Sequence, residues 1–360
     1  MKFMISKNPF YTNAVVLICV GLLPLNLYSD SSSKSSFMGS SLINMPSTEN
    51  VGKENLDFRF NHRFGNAKGT SESFIGLDGG ANTQLSIDYG FTEKFSVGFA
   101  RTSQYKTYEL RSKYGVFSQD EKIPFSISIF GVIGQETSKQ EIAMGPYIQP
   151  PSTSFPALDA YIKKEANEYE LSDTDKRSFL ASVLISRRFN DVFSLQFSPM
   201  IVHRNFVKTE LSNDRIGMDI AGRIKLSKRI DLTFESILTP KRDYIGEEYN
   251  SIDRNSYGNT QNLTSEEINK SYPTSNDLLY VYFRNVVYDK PVPYSYIPFS
   301  IGVDFETGGH VFQLFVTNSR TIAHTQLLRG ADFDYKNKDW TIGFNIHRYF
   351  SFEDEISKEN

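Results

Sequence analysis

Alternation of apolar and polar residues recurs along this sequence and constrains its fold more than any other feature. Residues 56–64 read LDFRFNHRF, in which Leu56, Phe58 and Phe60 alternate with charged or amide side chains. Successive side chains of a β-strand point to opposite faces, so this segment forms a strand with one apolar and one polar face. The pattern predicts an all-β fold.

The alternating segments are long and numerous. We predict twelve strands, at 55–64, 82–91, 95–103, 107–117, 125–134, 178–189, 192–203, 216–226, 232–239, 298–306, 310–317 and 339–350. Strands of soluble proteins average about 5–6 residues, whereas a strand that crosses a membrane needs about 9–11. The lengths therefore favour strands that span a membrane.

The connections between the predicted strands are sorted by length. With one exception they are long after odd-numbered strands, and they are short after even-numbered strands, as at 92–94 (TEK) and 307–309 (TGG). Long loops on one side and short turns on the other are typical of outer-membrane barrels. We therefore predict a closed antiparallel transmembrane β-barrel of about 12 strands over residues 55–350. Its long extracellular loops would include 135–177 and 240–297, and its short turns would be periplasmic.

The N-terminus carries the features of a secretory signal peptide. Two lysines precede the apolar run AVVLICVGLL (14–23), and we expect cleavage after Ser29, which makes residues 1–29 the signal. An N-terminal anchor helix is the alternative, although this run is shorter than the ~20 residues that a spanning helix needs. The one cysteine, Cys19, lies inside the run. A cleaved chain would therefore have no disulfide and no thiolate site.

The segments that flank the predicted barrel differ in character from it. Residues 30–54 are serine-rich without a period, so we expect a flexible lead-in. Residues 351–360 form an acidic tail, expected in the periplasm. The last strand carries Trp340, Phe344 and Phe350 and resembles the C-terminal signal strand by which barrels are recognised for assembly. The expected partners are outer-membrane lipid, the barrel-assembly machinery and an unknown extracellular or periplasmic partner.

Several stretches resemble a known family. They are ENLDFRFNHRFG (54–65), GLDGGANTQLSIDYGFTEKFSVGFAR (76–101), GMDIAGRIKLSKRIDLTFE (217–235) and GVDFETGGHVFQLFVTNS (302–319). From about residue 55 onward the chain is similar to a family of outer-membrane β-barrels from Bacteroidetes-type bacteria that is catalogued as a domain of unknown function. The resemblance implies a barrel and a location in a Gram-negative envelope, and it carries over no catalytic residue.

The polar faces of the strands hold equal numbers of acidic and basic residues. The predicted lumen-facing charges are Asp57, Arg59, Arg63, Asp88, Glu109, Arg111, Lys113, Arg188, Asp219, Arg223, Lys225, Glu235, Asp304 and Glu306. A strongly ion-selective pore would line its lumen with one sign of charge. Charges of both signs instead predict pairing between neighbouring strands, and a lumen filled by salt bridges. A narrow or gated pore is the alternative.

Tyrosines are concentrated in the loop 240–297. We take Tyr280, Tyr282, Tyr294 and Tyr296 as recognition candidates, because tyrosine combines contact area with a polar tip. The sequence therefore predicts an outer-membrane barrel that acts as a channel, transporter or scaffold, with a tyrosine-rich extracellular cap.

The sequence is also compatible with two other classes of function. An outer-membrane enzyme would need a rim site, for which Ser319 and His324 are close in sequence but lie in a loop. A secreted soluble β-protein that binds a polysaccharide or a partner is the other. The five histidines lack metal-binding spacing, and His310 is the candidate polar site. We expect no metal, no cofactor and, at a net charge of −3, no nucleic acid.

Overall fold

A computed structural model describes residues 35–68, 74–138, 172–205, 213–239 and 296–352. It contains the twelve predicted strands, each within about two residues of the predicted ends: β1 Asn55–Arg63, β2 Asn82–Gly90, β3 Phe95–Thr102, β4 Tyr108–Phe117, β5 Ser126–Gln135, β6 Arg177–Arg188, β7 Phe193–Arg204, β8 Asp214–Lys225, β9 Ile230–Leu238, β10 Phe299–Thr307, β11 His310–Thr317 and β12 Thr341–Ser351. Short 3-10 helices lie at Phe74–Gly76, Gln104–Lys106, His324–Arg329 and Tyr335–Asn337. No helix of the described residues is long and apolar enough to span a membrane.

The strands form one closed antiparallel barrel, as predicted. Each strand pairs with its neighbour in sequence, and β1 pairs with β12 from Asn55 opposite Ser351 to Arg63 opposite Gly343. Closure removes both sheet edges, so the strands satisfy one another's backbone groups without water. This explains how strands with an apolar outer face are stable in lipid.

The two faces of the wall follow the alternation of the sequence. Phe58 points outward and Arg59 and Arg63 point inward, where both are buried. Leu110 on β4 and Ile129 on β5 are each more than half exposed on the outer face. An outer face of exposed apolar side chains is the surface that meets lipid in a membrane barrel.

The two ends of the barrel differ. One end, which we call the turn end, holds the start of β1, the end of β12 and the short connections, such as Gly308–Gly309 between β10 and β11. The opposite end is the loop end. Most of the predicted loops 135–177 and 240–297 lies outside the described residues, as do the predicted signal 1–29 and all but the first two residues of the tail 351–360.

The predicted flexible lead-in differs from what the structure shows. Of residues 30–54, those from 35 onward are described, and residues 35–53 fold into the barrel lumen from the turn end. We call this segment the N-terminal plug. Its side chains Phe37, Leu42, Ile43, Met45 and Val51 are buried. Serine-rich composition indicated a flexible chain, but the polar lumen supplies partners for the hydroxyl and main-chain groups of this segment.

A second segment enters from the loop end. Residues 318–334, which we call the inner loop, lie between β11 and β12 and include the 3-10 helix His324–Arg329, of which all but Arg329 is buried. The sequence placed these residues in a loop without indicating that the loop turns inward.

The plug and the inner loop share one apolar core with the inner wall. The core contains Phe37, Leu42 and Met45 of the plug, Leu327 and Leu328 of the inner loop, and Phe130, Val132, Leu180, Leu184, Met200, Val202, Ala221 and Ile237 of β5–β9. At these positions the inner wall of β5–β9 is apolar, where the alternation of the sequence had indicated a polar face.

Candidate functional site

The predicted lumen-facing charges lie inside the barrel, and most are buried. Buried are Asp57, Arg59, Arg63, Asp88, Glu109, Arg111, Lys113, Arg188, Asp219, Arg223, Glu235 and Asp304. Lys225 is half-buried and Glu306 is exposed, because both lie where β8 and β10 reach the turn end. The candidate site is the lumen that these side chains surround.

One side of the lumen, on β1, β2 and β4, holds a compact ion-pair cluster. Asp88 pairs with Arg59, and it also accepts from Arg111 Nη2 at 2.8 Å. Asp57 lies 3.4 Å from Arg59 Nε and 3.5 Å from Nδ1 of His347 on β12. Here the predicted pairing of charges between neighbouring strands is present.

The other side of the lumen, on β8–β10, is rich in acids. Asp231 faces Asp304 in the strand register and is paired with Arg223 Nε at 3.3 Å. Asp304 accepts instead from the neutral groups Thr233 Oγ1 and Gln313 Nε2, at 3.2 and 3.1 Å. Salt bridges thus fill only part of the lumen, because chain segments occupy much of the remaining space.

The acidic side anchors the tip of the plug. Glu235 on β9 accepts two consecutive main-chain N–H groups, from Asn44 to Oε2 at 2.7 Å and from Met45 to Oε1 at 2.9 Å. A buried N–H group left without an acceptor costs about 1–3 kcal/mol, so each of these bonds matters for the position of the plug. Glu235 is therefore a principal anchor of the plug.

Basic and amide side chains hold the main-chain carbonyls of the plug. Lys113 Nζ donates to the carbonyls of Ser40 at 3.3 Å and Ser47 at 3.0 Å, and to that of Glu49. On β1 and β12, Arg63 Nη2 and Asn345 Nδ2 donate to the carbonyl of Ile43, at 3.1 and 3.0 Å. The carbonyls of the plug thus face the cations of the wall.

Further wall residues complete the contacts. The Gln196 side chain accepts from Thr48 N–H at 3.1 Å and donates to the Pro46 carbonyl at 2.9 Å. The Tyr349 hydroxyl accepts from Ser40 N–H at 3.1 Å. Sequence reasoning missed Gln196, Asn345 and Tyr349, although all three occupy inward positions in the strand alternation.

The inner loop is anchored mainly by Glu109. This carboxylate accepts from Thr325 N–H at 3.0 Å and lies 3.0 Å from Nδ1 of His324. Burial lowers the pKa of His324 below its usual value, although Glu109 opposes that shift. Arg204 Nη2 donates to the Thr325 carbonyl at 2.9 Å, and Arg329 pairs with Glu136 at 2.6 Å.

Ser319 and His324, the pair considered for the alternative of a rim enzyme, make separate hydrogen bonds. His324 is bound to Glu109, whereas Ser319 accepts from Thr321 N–H at 3.3 Å. Both side chains are buried.

The plug leaves little space beside the ion-pair cluster. A cavity of about 20 Å³ lies among Arg59, Asp88, Arg111 and Lys113. A polar cavity of this size has room for about one water molecule. The described part of the lumen on this side is therefore filled.

The remaining candidates lie away from the lumen. His310 shares the outward face of β11 with Phe312 at the turn end, and Arg348 Nη1 donates to its Nδ1 at 3.1 Å. Tyr296 pairs through its carbonyl with Ala331 of the inner loop, whereas Tyr280, Tyr282 and Tyr294 lie outside the described residues. Among the described residues, no group of three or more His, Cys, Asp or Glu is placed to hold a metal ion.

The chain is similar to several solved outer-membrane barrels. A NanC porin structure is 7% identical, with a TM-score of 0.41 over 81% of this chain and 98% of that one. A Rhodopseudomonas blastica porin is 8% identical, with a TM-score of 0.29 over 75% of this chain and 55% of that one. The outer membrane channel DcaP of Acinetobacter baumannii is 8% identical, with a TM-score of 0.27 over 75% of this chain and 63% of that one.

The comparison with curated proteins returned no match. A family model does match, over residues 37–350, and this range includes most of the plug and all of the inner loop. The closed register of the twelve strands agrees with the family's description as a membrane-bound barrel. The chain therefore belongs to the family described as "Membrane bound beta barrel domain (DUF5777)", and the protein is a β-barrel of the outer membrane.

Proposed function

We propose that the protein is an outer-membrane channel that its N-terminal plug holds closed at rest. One observation carries this proposal: the plug occupies the lumen, and many of its contacts there are hydrogen bonds to polar wall groups that water can replace. A barrel of about 8 strands is filled by its own side chains, whereas 16–18 strands leave an aqueous channel. A barrel of twelve strands is intermediate in width, so its lumen has room for the plug. Removal of the plug would therefore open a passage.

The junction between the plug and β1 favours movement toward the turn end. Gly52 has a φ of +87° and Glu54 a φ of +55°, so the chain reverses direction between the plug and β1. Such left-handed conformations are common for glycine and uncommon for other residues. The reversal lies at the turn end, where the plug can pivot outward without breaking the strand pairing of the barrel.

The apolar contacts of the plug indicate that the closed state dominates at rest. Five plug side chains, Phe37, Leu42, Ile43, Met45 and Val51, are buried. At about 1.5–3 kcal/mol each, their burial contributes roughly 7–15 kcal/mol as an upper bound. A ratio of 99:1 between two states needs less than about 3 kcal/mol. Opening therefore requires a ligand or partner that binds the released state.

A scaffold with a permanently closed lumen is the second candidate. The apolar core that the plug shares with Leu327 and Leu328 favours it, since an apolar core gains nothing from being hydrated. The two candidates differ in whether ions pass when the plug is loosened.

A reversible crosslink tests the channel. Thr48 Oγ1 of the plug lies 2.6 Å from Ser186 Oγ of β6, so Thr48→Cys with Ser186→Cys places two thiols within reach of a disulfide. The pair is combined with Met45→Asp, which buries a carboxylate in the core and loosens the plug. Current through planar bilayers is then recorded under oxidising and reducing conditions.

We expect Met45→Asp alone to conduct, the oxidised triple variant to be silent and its current to appear when dithiothreitol is added. Either single cysteine variant in the Met45→Asp background serves as the matched control and should conduct under both conditions. Equal current in the oxidised and reduced triple variant would show that ions do not pass through the space of the plug. A correctly folded Met45→Asp barrel without current would favour the scaffold.

A further inference from the structure

We infer that the wall beneath the plug is a binding site for the main chain of a peptide, and that peptides are the ligand class of the opened lumen. This inference rests on the proposed opening of the plug. Most hydrogen bonds from the described wall to the plug end on main-chain atoms, and the exceptions end on the side chains of Ser40, Asn44 and Thr48. A surface that binds main-chain atoms tolerates different side chains.

The bound segment is a tight hairpin. Leu42 N–H donates to the Met45 carbonyl at 2.8 Å and Ser47 N–H donates to the Ser40 carbonyl at 3.0 Å. These internal bonds leave other main-chain groups of the hairpin to be satisfied by the wall. Asn44 N–H, Met45 N–H and the Ile43 carbonyl are such groups, and each has a wall partner.

The charges of the wall match the polarity of a peptide backbone. Lys113 faces carbonyls, which carry partial negative charge, and Glu235 faces N–H groups, which carry partial positive charge. Gln196 offers a side-chain amide that both accepts from and donates to the hairpin, as another peptide unit would. A free inorganic ion would satisfy Lys113 or Glu235 but not both.

The apolar core adds a preference for certain side chains. Leu42 and Met45 lie at either side of the hairpin turn, and both join the core with wall residues such as Leu184 and Ile237. A peptide that replaces the plug would fill the same volume with bulky apolar residues near its turn. The site thus combines tolerant main-chain binding with a requirement for apolar side chains.

Binding of synthetic peptides to the full-length chain tests this inference. The probe is a fluorescent peptide with the sequence of residues 35–53, and the receptor is the Met45→Asp variant, whose own plug competes less strongly. We expect at least tenfold tighter binding to this variant than to the wild-type chain. Leu42→Ala, which removes a buried plug side chain with less disturbance, provides a second receptor should Met45→Asp fail to assemble.

Two altered probes separate main-chain from side-chain recognition. A peptide N-methylated at the positions of Asn44 and Met45 keeps every side chain but loses the two N–H groups that Glu235 accepts. We expect it to bind at least tenfold more weakly than the unmodified probe. A peptide with alanine at the positions of Ser41 and Ser47 keeps those N–H groups and should bind within about threefold of it.

Equal affinity for the N-methylated and unmodified peptides would overturn the inference. The inference would also be overturned if a polyethylene glycol of similar mass displaced the probe at the same concentration as the unlabelled peptide does. A different result would contradict the channel proposal. If a Met45→Asp barrel binds the probe but passes no current, the peptide site is supported and the channel is not. A barrel that conducts but discriminates neither altered probe retains the channel without the peptide site.

Discussion

At the residue scale, Glu235 is the sharpest test of how the plug is held. Glu235→Gln keeps the shape of the side chain but replaces one acceptor oxygen with a donor that faces an N–H group of Asn44 or Met45. Leaving a buried N–H group without its acceptor costs about 1–3 kcal/mol. We expect amide hydrogen exchange at Asn44 and Met45 to accelerate about 10- to 100-fold. Asp304→Asn, whose neighbours are wall residues, is the matched control and should leave that exchange unchanged.

His324 should make the position of the inner loop sensitive to pH. Burial lowers its pKa, so the seated histidine resists a proton that the released histidine accepts near its ordinary pKa of about 6.5. The seated loop is thus stabilised above that pH and loses stability as the pH falls below it. The groups that face His324 are Glu109, Arg111, Arg59 and the ring of Phe130.

The measurement is hydrogen exchange of the inner loop at pH 7.5 and at pH 5, corrected for the intrinsic rate. We expect more opening at pH 5 in the wild-type chain and a smaller difference in His324→Gln. An unchanged pH dependence in His324→Gln would assign the effect to another group.

At the scale of the elements, the strands could be predicted from the sequence and the inner segments could not. Period-two alternation marks a strand wherever its outer face meets lipid, so the predicted ends of β4 and β11 lie within one residue of the observed ones. The plug has no period, because wall side chains bind its main chain and any sequence offers the same N–H and C=O groups. The inward position of the charges around Asp88 could be predicted from the strand alternation. The same alternation did not indicate that inward positions of β5–β9 would be apolar.

Because the lumen is packed, an inward position in the strand alternation no longer predicts that the barrel tolerates a charged substitution there. Ile129→Arg on the outer face of β5 should impair assembly, since a cation at the membrane midplane costs about 2–4 kcal/mol. In a water-filled barrel an inward Ala221→Arg would be tolerated, but here Ala221 lies in the apolar core, so we expect comparable damage. Glu306→Arg at the exposed turn end should assemble normally. The folded fraction in outer membranes, measured by heat-modifiable gel mobility, checks all three, and an undamaged Ala221→Arg barrel would contradict the packed lumen.

At the scale of the whole molecule, the two inner segments enter from opposite ends of the barrel and meet in one core. Side chains of one segment therefore support the other through apolar contacts in that core. Leu328 of the inner loop is fully buried, and a Cβ placed on Gly217 of β8 would clash with Leu328 Cδ2. The barrel wall is thus shaped around the inner loop, and the inner loop in turn completes the surface on which the plug packs.

This arrangement predicts energetic coupling between Leu328 and Met45. Leu328→Ala should loosen the plug, because a buried leucine truncated to alanine leaves a cavity that costs about 2–5 kcal/mol, part of which the adjacent plug bears. Plug opening, followed by exchange at Asn44 and Met45, is measured in Leu328→Ala, Leu42→Ala and the double variant. Residues of a shared core typically couple by about 0.5–3 kcal/mol, so the two effects should not add.

Leu314→Ala, on the lipid-facing side of β11, provides the control and should change neither segment. Strictly additive effects of Leu328→Ala and Leu42→Ala would mean that the plug opens independently of the inner loop, and that the passage has two separate closures.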